Sequence, residues 1–192
     1  MIRTFIVATA LVFAAPVWAQ DDTATAEVIE ESDGTRTLVH EAVIDAPVAD
    51  VWATLSTAEG WKMWGPKEAW FDFRLGGEIE TSYSAGAERG SPLNIKHRIL
   101  AFVPERMIAL EVAQVPEGAF KPGVLDGMWS VYELEPIIIA DAHAQTEATR
   151  LRITGIGYKS DPDSSQMLEF FKGGNVYSIE MLKQALAEQA AE

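Results

Sequence analysis

The sequence predicts an α+β fold built on one curved antiparallel sheet with a single long C-terminal helix, and three observations carry that prediction. Short runs of alternating apolar and polar residues recur from residue 36 to residue 159. From residue 69 on, no helical pattern separates those runs, so the strands connect as hairpins and the sheet is antiparallel. One long helical pattern then closes the chain over residues 162–187.

Taken in order, residues 1–19 stand apart. Arg3 lies near the start, residues 5–15 are an uncharged apolar run, and Pro16 precedes Val17-Trp18-Ala19. That is the layout of a secretory signal peptide cleaved after Ala19, which predicts a periplasmic or secreted protein. An uncleaved anchor is the alternative. The apolar run as a helix reaches roughly 16 Å, against a hydrocarbon core of ~30 Å, and no later stretch is apolar enough to span a membrane. Residues 20–35 are polar, acidic and free of aromatics, so they read as a flexible lead-in. Residues 36–190 form the single folded domain.

Within it, Leu38, His40, Ala42 and Ile44 alternate with Val39, Glu41 and Val43, a strand with both faces partly covered. Pro47 suits the first position of a helix, where a missing N–H costs nothing. Val48, Val51, Trp52 and Leu55 then recur at helical spacing. A second short helix fits residues 57–64, broken at Gly65-Pro66. Six strands follow at 69–74, 78–84, 93–103, 107–113, 127–135 and 149–159. Asp161 is a good N-cap and Pro162 a good first residue for the last helix. Its apolar stripe reads as Met167, Phe170, Phe171, Gly174, Ser178, Met181, Leu182 and Ala185. A straight rod of roughly 39 Å on a curved sheet touches it at mid-length and leaves room at its ends, so a cavity is expected between helix and sheet.

Composition narrows the function. With 192 residues, 48% hydrophobic and 23% charged, the chain suits one globular domain. Fifteen Lys and Arg against 29 Asp and Glu give a net charge of −14, which repels phosphate backbones and argues against nucleic acid as a partner. Without cysteine there is no disulfide, no thiol catalysis and no cysteine-bound metal. No phosphate loop, dinucleotide fingerprint, G-x-S-x-G elbow or H-E-x-x-H occurs, so no cofactor and no metal are expected.

Several short motifs, weak singly, are more specific in their order and spacing. They are Ile44-Asp45-Ala46-Pro47 followed by Val51-Trp52, WKMWGP at 61–66, RLGGE at 74–78, and Val103-Pro104-Glu105-Arg106. YELEP at 132–136 and TRLRI at 149–153 complete the set. Together they resemble the START-like (SRPBCC) helix-grip superfamily, and within it the family of the C-terminal domain of the Hsp90 ATPase activator, over residues 36–186. The resemblance implies a helix-grip fold. Three departures stand out: Asn175 follows Gly174 where the family commonly has a Gly-Trp pair, residues 137–148 form a long insert, and an export signal precedes a usually cytoplasmic domain. Hsp90 and ATP are not expected outside the cytoplasm, so chaperone activation is not carried over.

Candidate site residues follow from residue type and position. Trp61, Trp64, Trp70 and Trp129 either rim an apolar pocket or fill the core. Tyr132, Phe170 and Phe171 join them as pocket walls. Gly173-Gly174 in mid-helix costs about 1 kcal/mol per glycine, offset either by room for a ligand at Gly174 or by close packing on a strand residue such as Trp129. His40 and His97 share strand faces with apolar residues; each is an acid–base candidate or a satisfied buried histidine. His143 lies in the insert. Ile137-Ile138-Ile139 is either an exposed docking patch or an edge strand with inward side chains. The leading expectation is a binding protein for a small hydrophobic molecule, lipid-like or aromatic, held in an elongated pocket under the last helix. A cyclase- or hydrolyase-type enzyme using His40 or His97, and a protein-interaction module using the isoleucines, are the alternatives.

Overall fold

The computed structural model describes residues 23–140 and 144–191. Residues 1–19, read from the sequence as a signal peptide, and His143 therefore lie outside the described residues. Eight strands form one antiparallel sheet in the order β1-β2-β8-β7-β6-β5-β4-β3. They are β1 Thr25–Glu30, β2 Arg36–Ile44, β3 Glu68–Phe71, β4 Glu78–Ser82, β5 Ile95–Val103, β6 Met107–Gln114, β7 Trp129–Ala140 and β8 Gln145–Tyr158. Two short helices, α1 Val48–Ser56 and α2 Ala58–Met63, are inserted after β2, and α3 Pro162–Ala190 closes the chain.

Local chemistry sets the helix boundaries. Pro47 occupies the N-cap of α1, one residue before the expected position. Val51 and Leu55, one turn apart, are both buried. The Asp161 carboxylate accepts from the backbone N–H groups of Asp163 and Ser164, and Pro162 opens α3 as expected.

Three expectations are corrected. The supposed flexible lead-in carries β1, which pairs with β2 from Thr25↔Glu41 to Glu30↔Arg36. It is an edge strand whose alternation is short: only Ala26 and Val28 turn partly inward, between exposed Thr25, Glu27 and Ile29. The 137–148 insert continues the β7–β8 ladder out to Ala140↔Gln145. It extends beyond the last β2 pairing, Ile44↔Thr149.

The third correction concerns α3, whose fully buried residues cluster toward its two ends. Met167 and Leu168 join one apolar cluster with Leu38, Val124, Met128 and Tyr158. Ile179, Leu182 and Leu186 join another with Ile44, Ile99, Leu110, Leu151 and Trp61. Between them, Phe171, Gly174, Asn175 and Val176 are only half-buried. The buried stripe runs Ser164, Met167, Leu168, Ile179, Leu182 and Leu186, and Phe170 is exposed.

Candidate functional site

Under the mid-section of α3 lies a small, partly open pocket of about 50 Å³. Every wall comes from a different element. β5 contributes His97, β6 Leu110 and Val112, β7 Ser130 and Tyr132, and β8 Tyr158; Phe171 and Asn175 descend from α3. Leu125 and Met128 close the remaining side from the 115–128 loop. Gly157, at φ +91°, lets that loop press on β8: a Cβ there would stand 2.6 Å from the Gly127 carbonyl oxygen. The expected elongated pocket is thus largely filled by the chain's own rings, since ligand pockets start at about 300 Å³.

The polar groups are unusual for so enclosed a space. A register shift between Lys96 and His97 marks a bulge in β5, a device that re-aims side chains. The His97 ring lies 5.5 Å from that of Trp61, and its Nδ1 is buried with no hydrogen-bond partner. Burial alone pushes its pKa from 6.5 down to about 4. His40 is fully buried on β2, and its Nε2–H donates to the Lys172 carbonyl of α3 at 3.1 Å. A carbonyl only accepts, so the proton sits on Nε2 and Nδ1 is left as a bare acceptor without a partner. Burial lowers its pKa too, opposed in part by that bond. Burial and then the neighbouring Tyr83 phenol push Tyr132 up to about 12. Burial and then Tyr132 raise Tyr158 as well. Both phenols therefore stay protonated as donors.

The sequence-derived candidates divide. Trp129, Tyr132 and Phe171 line the cavity, Trp129 at its partly exposed rim. Trp61 and Trp64 sit in the core, their indole N–H groups donating to the Leu55 and Thr54 carbonyls at 2.8 and 3.4 Å. Phe71 meets Trp61, so Trp70 on the same strand takes the opposite face. Phe170 stacks on Phe120 outside the cavity. A Cβ on Gly173 or Gly174 would meet nothing within 4 Å, so close packing on Trp129 does not explain the pair. In the β7 extension, Ile138 is exposed while Ile137 and Ile139 are half-buried.

Sequence reasoning missed Ser130, Tyr158, Asn175, Leu125 and Met128. Ser130 shares strand parity with Tyr132, and Asn175 follows Phe171 by one turn, so both were open to reading. Among the described residues, no group of three His, Asp or Glu could hold a metal ion, and no helix is long and apolar enough to cross a membrane.

Comparison with known proteins now decides the family. The model of the "Activator of Hsp90 ATPase homolog 1-like protein" family matches residues 45–187. The chain belongs to this family. Its fold is the helix-grip fold of START-like proteins. Protein MLL2253 from Mesorhizobium loti is similar at TM-score 0.58 and 21% identity, covering 80% of this chain and 98% of that one. CalU16 from Micromonospora echinospora gives 0.53 and 20%, covering 87% and 84%. The Aha1 dimer from Colwellia psychrerythraea gives 0.54 and 17%, covering 78% and 95%. At these identities the likeness concerns the fold alone. No curated protein matches the chain.

Proposed function

We propose that this AHSA1-like domain is exported and binds a small apolar molecule between its sheet, mid-α3 and the 115–128 loop. The observation that carries the reading is the small pocket under the helix, walled by the uncharged polar side chains of His97, Ser130, Tyr132, Tyr158 and Asn175. Polar groups left unpaired in so confined a space cost roughly 1–3 kcal/mol each, and a bound molecule bearing a polar group offsets that cost. The cavity as it stands suits little more than a water, so the ligand must displace the loop. Beneath the loop, Val124 and Met128 are buried with Met167 and Leu168 of α3, an apolar contact the ligand must replace, while the ties on its outer side are weak. An exposed Lys121–Asp163 ion pair of 2.6 Å and the Phe120–Phe170 contact tie it down, and exposed pairs contribute about 1 kcal/mol at most. An open groove of about 560 Å³ already runs between loop and helix, floored by Val124 and Met167.

The same geometry favours binding over turnover. With a pKa of about 4, His97 is neutral and weakly basic at neutral pH. His40 is engaged with Lys172.

The absence of cysteine makes a clean test possible. Lys121→Cys and Asp163→Cys, joined by a short bis-maleimide, pin the loop to the helix. The mature protein and the unlinked double variant should take up Nile red, and solvent extraction with mass spectrometry should recover a co-purified apolar molecule. The linked protein should lose uptake. Equal uptake by the linked protein, or none by the unlinked one, refutes the proposal.

A further inference from the structure

Within this binding site, whose existence the inference presupposes, we infer that the favoured ligand is an apolar alcohol rather than a carboxylic acid or an amine. The cavity's polar side chains are His97, Ser130, Tyr132, Tyr158 and Asn175, and no Lys, Arg, Asp or Glu lines it. The charged neighbours of His97 on β5 are engaged elsewhere. Arg98 is paired with the Glu111 carboxylate at 2.7 Å, and Lys96 stands 3.9 Å from Glu80. Glu80 itself is satisfied by the Asn94 amide and the Gly90 N–H. A carboxylate entering the cavity sheds its water and finds no cation; an ammonium finds no anion. Burying either ion unpaired is strongly unfavourable.

A hydroxyl faces no such cost. It both donates and accepts, so it suits the His97 ring that lines the pocket, whichever tautomer that ring adopts. Tyr132 and Tyr158, protonated, donate to its oxygen. A hydroxyl is therefore paired by uncharged groups alone, without any change of protonation.

The surface field and the cavity lining make opposite forecasts for one ligand, which makes the inference decidable. A net charge of −14 draws a cation toward the protein, whereas the lining rejects it. The test is a titration of the mature protein with 1-decanol, decanoate and decylammonium below their micellar concentrations, near neutral pH. Salt of about 0.5 M screens the surface field. Tryptophan fluorescence and native mass spectrometry report binding. Decanol should bind at least about tenfold more tightly than either ion, and His97→Leu should weaken decanol about tenfold while His97→Gln largely restores it. If an ion binds as well as decanol, the head-group inference is wrong and the binding site stands. If none of the three binds, both fall. The wild-type ranking decides the matter even if a His97 variant fails to fold.

Discussion

Acidification should destabilise this protein through His97 in a way that can be isolated. Burial holds the folded-state pKa at about 4 against 6.5 for a free imidazole. Between those values the unfolded chain binds a proton that the native state refuses, so stability falls as pH drops through this window. Above about pH 6.5 the effect is absent; below about pH 4 it is complete. Integrating the two titrations gives a loss of about 2 kcal/mol by pH 5 and about 3 kcal/mol by pH 4. The reading at pH 5 is cleaner, because most carboxylates are still ionised there. His40 contributes with the same sign, its pKa also lowered by burial, so the measurement must be differential. Urea unfolding of wild type and His97→Leu, followed by tryptophan fluorescence at pH 7, 6 and 5, supplies it. Any packing loss in the variant is independent of pH and cancels. Wild type should lose about 2 kcal/mol more than the variant over that range. Parallel pH profiles, or an imidazole resonance of His97 titrating near 6.5, would refute the burial argument and the orphaned nitrogen with it.

Two further outcomes are expected. Gly173→Ala should stabilise the protein by about 1 kcal/mol in thermal or urea unfolding, since the added methyl meets nothing within 4 Å and the helix gains propensity; a loss of stability would show that the glycine is needed. Thr149→Val should cost about 1–2 kcal/mol, because the buried Thr149 hydroxyl donates to the Ala46 carbonyl at 2.8 Å and the substitution leaves that oxygen unpaired; a neutral substitution would contradict this.

Much of the fold was open to reading because its signals are local. The Val51–Leu55 spacing and the Asp161-Pro162 start each fix a helix without reference to anything distant. Strand β1 was not, because its inward positions, Ala26 and Val28, are only two apolar residues within an acidic, polar stretch, and its pairing with β2 is what orders it. The phase of α3 failed for a related reason. Phe170 is apolar at a plausible spacing, but its partner is Phe120 of a loop whose Pro and Gly content announces only irregularity. That loop is also why the site was only half legible. Tyr132 and Phe171 were readable as walls, whereas Leu125 and Met128 reach the cavity only through long-range docking on β8.

Three separate departures from stable design coincide within about one turn of α3. Gly173-Gly174 forgoes helix propensity with nothing packed against it. His40 and His97 each bury a nitrogen without a partner. A pocket of about 50 Å³ lies unfilled beside Phe171 and Asn175. Each alone has a bland remedy: alanine for glycine, a hydrophobic residue for histidine, a larger side chain for the void. A chain selected for stability alone has no reason to retain all three in one place, while the rest of α3 is closely packed at both ends. On the proposed reading, a molecule bound in the pocket offsets the third cost directly by filling that space, and the bare backbone of Gly173-Gly174 is what lets α3 bend to admit it.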